Sequence, residues 1–578
     1  MHQGISRLTA IALAVFLLSA CGSDTAATDN QQDSSGSAEQ QLDQLIDRYL
    51  ADYWHQHPDR ATRAGLQRWN DRLPAMAADD LMDNARQIRE VLTTLESIDP
   101  EQISSADHRV DWQLLGQHAR VRLAEIERLP RWQREPRLYL PVHAFNDLIL
   151  DTDAPIEQRA EWILARLHQL PTLLAAGRAN LDKPPQTFTL DAIRSSESQL
   201  PFFEHTLPGF ARQLPALEAD IIAAAEQAGA AVTDYIEFLR EDLLPRSTGQ
   251  IAVGREMYEF YLREIHGLGL GADELIELGE RYYAETERLL NEQAERIMPG
   301  RHWAEITEKI RNDHPERADL LAAYCREIQR SRAYVIEYDL VSVPEQEEVR
   351  CIHSDPSQRA FSPFGTFRTP APFTHSRIGY LILHPVPEGL AAEEEERLLR
   401  AHDYSWIQVI APHEAYPGHH LQALLAQQHQ RPLRKVYSTP VFTEGWGLYT
   451  EELMHEHGYF DPAEETRLTQ LRLRLWRAAR VLLDARIHTG QISVDQARHY
   501  LADHIRMEHS ATAGEVNIYV YRPSYAIGYV VGYYEMMSLR EDWLNGRGAD
   551  AEIRDFHDQV LGLGSIPFPA VRELIELD

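Results

Sequence analysis

The sequence predicts a mainly α-helical fold with one small β element, and three observations carry that prediction. Long stretches place apolar residues three and four apart with charged residues between them, the period of a helix buried along one side. Only Ile378-Gly379-Tyr380-Leu381-Ile382-Leu383 reads as a strand, being short, apolar and rich in β-favouring residues. With 578 residues, 44% of them hydrophobic, the chain can bury a large core, as one elongated domain or as two lobes around a cleft.

In chain order, residues 1–20 read as a secretion signal outside the fold. Arg7 gives a basic start, residues 8–18 are almost wholly apolar, and the run is too short to span a bilayer. Leu18-Ser19-Ala20-Cys21 matches a lipoprotein signal-peptidase site, which makes Cys21 the lipidated first residue and the membrane anchor. Gly22 and Ser23 follow the cysteine where an aspartate would signal inner-membrane retention, so a periplasmic protein anchored to the outer membrane is expected. Residues 21–41, rich in Ser, Asp, Gln and Ala, read as a flexible tether. Residues 42–578 then form one large helical domain, with helices expected over 42–54, 156–170, 272–295, 319–338 and 468–488.

The chemistry is concentrated in Pro412-His413-Glu414-Ala415-Tyr416-Pro417-Gly418-His419-His420. In the zincin signature His-Glu-x-x-His, two histidines one helical turn apart bind zinc and the intervening glutamate activates a water. Here the fifth position is Pro417, and a Gly-His pair arrives two residues late. On a straight helix His419 would lie roughly 120° off the face of His413. Pro417 lacks an amide hydrogen and clashes with the carbonyl of His413, so a break or kink is expected there, carrying His419 toward a shared ion. His413 and His419 are therefore the expected zinc ligands and Glu414 the expected base. His419 is preferred to His420 because Gly418 precedes it, and His420 stays as the alternative.

Glu444, in Thr443-Glu444-Gly445-Trp446, is the expected third ligand, with Thr443 as an available helix cap. Glu451 lies two turns further on the same helix face, so it is either a rival ligand or a carboxylate that orients a histidine. Zn²⁺ is the expected cofactor.

A net charge of −32 disfavours phosphate backbones, so no nucleic-acid partner is expected. Beyond Cys21, Cys325 and Cys351 are the only cysteines. They either pair in an oxidising compartment or remain buried thiols, and no histidine-paired pattern marks them as catalytic.

Tyr416-Pro417-Gly418-His419-His420-Leu421-Gln422, Glu444-Gly445-Trp446-Gly447-Leu448-Tyr449 and Phe556-His557-Asp558-Gln559-Val560-Leu561 resemble the bacterial family called domain of unknown function 885. The likeness runs nearly end to end, from Tyr53-Trp54-His55-Gln56-His57-Pro58 through Arg477 to Leu483 with Asp484 and His488. The resemblance implies a helical fold related to the gluzincin metallopeptidases, and with it a peptide substrate. It also implies a tyrosine or histidine from a later helix as oxyanion donor, for which Tyr529 and His488 are the candidates. Tyr529 stands in an aromatic run with Tyr525, Tyr533 and Tyr534 that would equally suit a core, and Asp484 makes a helix ion pair the alternative role for His488. In gluzincins an edge strand beside the metal helix can bind peptide by strand addition, so Gly379 and Tyr380 are the expected substrate contacts.

The chain departs from the family pattern at Pro523-Ser524-Tyr525, where Pro-Gly-Gln is usual, and at Ile518, where an arginine is expected. Leu448 stands where angiotensin-converting enzyme has an acidic residue, so the groups behind the ligands must be built differently. The expectation is a lipid-anchored zinc peptidase. The alternatives are an inactive lipoprotein that binds peptides or cell-wall fragments, and a zinc hydrolase of non-peptide amides. Oligomeric state is left open.

Overall fold

The computed structural model describes residues 37–151, 153–354, 365–548 and 551–577, so the leader, Cys21 and most of the tether lie outside the described residues. Helix α1 (Ala38–Gln56) opens on a capping box in which Gln40 and Ser37 satisfy each other's amides. The helix therefore claims four residues that composition alone assigned to the tether.

The expected helices are present with shifted ends: α2 (Ile156–Asn180), α3 (Ala272–Ile297), α4 (Leu320–Glu337) and, later in the chain, 464–488. The largest shift is in α2, which runs through Pro171. Burial of Leu167, Leu170, Leu173 and Leu174 on one side outweighs the hydrogen bond the proline removes.

Three strands form one small sheet: β1 (Glu348–His353), β2 (Thr366–Arg368) and β3 (Ile378–Leu383), in the order β1-β3-β2. β1 runs parallel to β3 and β2 antiparallel to it. The strand read from sequence is thus the central one. The other two escape a sequence reading because β1 is mixed in character and β2 has only three residues. Cys325 of α4 and Cys351 of β1 are joined as a disulfide, their Cα atoms 6.2 Å apart.

The site lies among α5 (Tyr404–Glu414), α6 (His419–Gln427), α7 (Pro440–Glu456), α8 (Glu464–His488) and α9 (Gly528–Arg547). α7 and α9 pack face to face through glycines: a methyl on Gly532 would fall 1.8 Å from the carbonyl oxygen of Val441, and one on Gly445 2.5 Å from Gly532. This close approach brings the start of α9 beside Glu444. The core around these helices extends from Leu42 to Ile575, while residues 139–243, with Leu73, gather a second apolar core of their own.

Candidate metal centre

Asp403 caps α5 by accepting the amide of Trp406 at 2.8 Å, and the helix ends at Glu414. The chain then turns over Ala415 to Gly418, where the Gly418 amide donates to the carbonyl of Pro412 at 3.0 Å. Trp446 of α7 holds the turn from outside, its indole N–H donating to the Pro417 carbonyl at 3.0 Å. A new helix begins at His419. The expected kink is thus a complete break, and it sets the rings of His413 and His419 4.9 Å apart and nearly perpendicular.

α7 is capped by Thr439, whose hydroxyl accepts the Val441 amide, and not by Thr443 as expected. Pro440 at the first helical position explains the earlier start. Glu444 consequently sits in the second turn, facing the break. One ligand atom each from His413, His419 and Glu444 lies within 4.8 Å of the others. Ligands bonded at about 2 Å to one ion stand no more than about 4 Å apart, so at most a small closure forms a three-ligand site.

The outer groups fit the same chemistry. The Nδ1 of His413 lies 2.9 Å from Glu451, which is fully buried and also 3.3 Å from Arg477. Neither approach has hydrogen-bond alignment, and His413 Nδ1 and both Glu451 oxygens have no hydrogen-bond partner among the described residues. On His419, Nδ1 meets the Gln422 side-chain oxygen at 3.1 Å, while Nε2 is 3.6 Å from Glu444. His419 thus has one nitrogen held by an acceptor, and a carboxylate lies 2.9 Å from the corresponding nitrogen of His413, the kind of group that orients metal-binding imidazoles. Of the two roles the sequence left open for Glu451, it thus takes that of the carboxylate beside His413 and stands outside the three-residue cluster.

Burial opposes charge on both His419 and Glu444, yet their mutual attraction prevails. The contact with Glu444, aided by Glu414, pushes His419 up to about 9. His419, with His413 and the Tyr525 hydroxyl, brings Glu444 down to about 2. A proton-bearing imidazole against a carboxylate is the pair a divalent cation joins by taking the proton's place. Glu414 is half-buried at the end of α5, and its carboxylate makes no hydrogen bond among the described residues.

Of the two donor candidates, the structure brings Tyr529 toward the cluster and not His488. Tyr529 lies beside Tyr525, with ring centres 6.3 Å apart, and burial followed by the charge of Glu444 holds its phenol well above the ordinary value. His488 is sealed in the core, its Nε2 on the Tyr519 carbonyl at 2.9 Å and its ring stacked on Tyr258. The donor role expected of His488 is therefore corrected. An ion pair with Asp484 is no better supported, although the two lie 3.9 Å apart. Burial lowers His488 to about 4 and raises Asp484 to about 7, leaving both neutral between these values. The residue that sequence reasoning passed over is Tyr525, whose hydroxyl donates to Glu444. It stands where the family usually has glutamine, and Ser524 before it adopts a left-handed φ of 66°. Ile518 is 37% exposed, so no salt bridge is built at that position.

Asp484 yields a pH prediction. In the unfolded chain its carboxyl titrates near 4, so between about pH 4 and 7 the folded protein keeps a proton that the unfolded chain has lost. Stability contributed by this group falls as pH rises through that window and is level above it. Asp484→Asn preserves an acceptor for Tyr258 and for the Ser524 amide while removing the titration. Its unfolding free energy should gain on wild type by on the order of 3 kcal/mol from pH 4 to pH 7, read by urea unfolding at several pH values. Parallel pH curves for the two proteins would refute this.

His420 turns away from the cluster. Its Nε2 meets Glu347 at 3.0 Å, and Glu347 also accepts from Tyr416 and from Arg332 at 2.6 Å. This buried carboxylate immediately precedes β1 and ties the sheet to the turn between the two ligand histidines. Glu347→Ala leaves three donors without their acceptor, so a loss of about 3–5 kcal/mol in stability is expected by chemical denaturation. A loss under about 1 kcal/mol would show that the hub carries little.

Gly379 and Tyr380 are also placed differently from expectation. β3 has neighbours on both sides, so strand addition onto it is blocked over Tyr380, which pairs with both Arg350 and Arg368. Gly379 packs against His420, since a methyl there would lie 2.6 Å from the ring nitrogen Nδ1.

Fold and site together define a mainly helical protein with a largely buried histidine, histidine and glutamate cluster at a helix break. The chain belongs to the family DUF885, described as a bacterial protein of unknown function, whose model matches residues 58–575. Its fold is similar to that of a protein described as “a putative lipoprotein of unknown function” from Shewanella oneidensis, with TM-score 0.75 and 21% identity over 94% of this chain and 100% of that one. A second structure, described as “the putative lipoprotein from Colwellia psychrerythraea”, has TM-score 0.80 and 19% identity over 94% of this chain and 99% of that one. At these identities the likeness concerns the fold. No curated protein matches the chain. Among the described residues no helix is long and apolar enough to cross a membrane.

Proposed function

We propose that the protein is a zinc-dependent peptidase of the gluzincin type, anchored by lipid at Cys21 and facing the periplasm from the outer membrane. The observation that carries the reading is the convergence of His413, His419 and Glu444, with Glu451 and Gln422 behind the histidines and Glu414 beside them. His413, His419 and Glu444 would hold a zinc ion, which would supply Lewis acidity and an acidified water. Glu414 would be the proton carrier, its carboxylate taking up a proton from the attacking water and delivering it to the leaving amine. Tyr525 holds Glu444 through its hydroxyl, and Tyr529 is the neutral donor left to meet a developing oxyanion.

The anchor rests on the Leu18-Ser19-Ala20-Cys21 site, and the descriptions of the two structural neighbours as lipoproteins support it. Palmitate labelling of the expressed protein should be lost in Cys21→Ala.

The deciding experiment is metal analysis of the purified protein followed by exposure to a mixed peptide library, with and without a chelator. About one zinc per chain and chelator-sensitive cleavage are expected. Absence of tightly bound divalent metal would end the reading, and cleavage confined to non-peptide amides would redirect it.

A further inference from the structure

A half-open cavity of about 260 Å³ lies at the start of α7, lined by Pro440, Ser524 and Tyr525 on the side of the candidate metal centre. Its walls carry three arginines and two glutamates. Arg131 is consumed by both acids, meeting Glu135 at 2.8 and 2.9 Å and Glu125 at 3.3 Å. The other two arginines have no carboxylate partner among the described residues. Arg134 donates to the backbone carbonyls of Gln250 and Ile251. Arg522 is exposed and lies with its guanidinium 5.1 Å from the ring centre of Tyr525. Leu129, Phe188, Ile251 and Val520 add apolar wall between these groups.

Three arginines against two glutamates leave one excess positive charge in a cavity of a chain with net charge −32, and this excess, placed at Arg134 and Arg522, favours an anion over a cation or a neutral group. Guanidinium recognises carboxylate through paired, charge-assisted hydrogen bonds. The cavity also has a fixed relation to the chemistry. Tyr525 faces Arg522 with its ring and donates to Glu444 with its hydroxyl. The path from Arg522 across that ring to Glu444 is on the order of 10 Å, the span of about three extended residues.

We propose that this cavity is a subsite for a substrate carboxylate, recognised by Arg134 and Arg522, with the peptide's own C-terminus as its main source. The inference rests on the peptidase reading and deepens it: the enzyme acts within about three residues of a free carboxyl end. An acidic side chain near the scissile bond offers the same chemistry, and the test separates the two sources.

The test is a binding titration by calorimetry on the lipid-free mature protein carrying Glu414→Gln, so that turnover does not intervene. The probes are Ala-Ala-Phe as free acid, Ala-Ala-Phe amide and Ala-Glu-Phe amide. The acid should bind at least about 10-fold more tightly than the plain amide, as expected for a charge-assisted pair. Arg522→Gln and Arg134→Gln should each reduce that preference while leaving the affinity of the amide unchanged. Arg522 is exposed, so its replacement leaves the fold intact, which a melting curve verifies. Recovery of tight binding by Ala-Glu-Phe amide, lost again in Arg522→Gln, supports the subsite with a side chain as its source. Equal binding of acid and plain amide, a preference that survives both substitutions, or no binding of any probe overturns the proposal. Metal-dependent library cleavage with no preference for a free C-terminus would sink the subsite alone, whereas absence of metal and of cleavage sinks the peptidase reading.

Discussion

Glu414→Gln is expected to slow peptide hydrolysis by about 10³-fold while leaving the bound metal in place, since a positioned general base contributes roughly 10²–10⁴-fold. The substitution conserves shape and removes only the capacity to take a proton. The side chain is half-buried and no described residue hydrogen-bonds to its carboxylate, so its replacement by the isosteric amide leaves every hydrogen bond of the fold in place. His419→Ala is the counterpart, because it deletes a ligand and should abolish metal and activity together. Zinc content and the rate on one library-derived peptide, measured for both variants, separate the roles. Retained activity in Glu414→Gln would remove it as the proton carrier, and full zinc content in His419→Ala would dissolve the cluster.

The parts of this site that could be read from sequence are those set by short spacings. His413, Glu414 and His419 fall within seven residues, and the proline and glycine between them announce a break whatever the surroundings. Glu444 was reachable because its own neighbourhood is distinctive. What the sequence left undetermined depends on contacts between distant segments. The choice of His419 over His420 is made by Glu347, more than seventy residues upstream, which draws His420 into the sheet side of the turn. β3 was visible as a strand, but whether it lies at an edge or in the centre depends on partners on both sides of it in the chain. His488 was misplaced because helical periodicity says which residues share a face and not which element covers that face. Tyr525 was overlooked because the aromatic run around it suits a core equally well, and only the glycine-mediated approach of α9 to α7 turns its hydroxyl to Glu444.

Gly418→Ala should be the most damaging single methyl in the protein's metal site. The added carbon would fall 1.8 Å from the His413 carbonyl oxygen and 2.4 Å from that of Pro412. Both are backbone atoms of a helix end and cannot swing aside as a side chain does, so the turn itself must open. Opening it separates His419 from His413, and zinc affinity should fall at least about 100-fold, close to the 10–100-fold cost of disturbing groups that merely orient ligands. Gly447→Ala provides a graded comparison. There the methyl would meet the His413 ring at 2.6 to 3.0 Å, a side chain that can tilt, so a smaller loss is expected. Gly514 faces open space in its helix, and Gly514→Ala should leave zinc affinity unchanged while stabilising the helix by up to about 1 kcal/mol. Competition with a chromophoric chelator ranks the three. If Gly418→Ala binds zinc as tightly as wild type, the helix break is not what brings the two imidazoles to one ion.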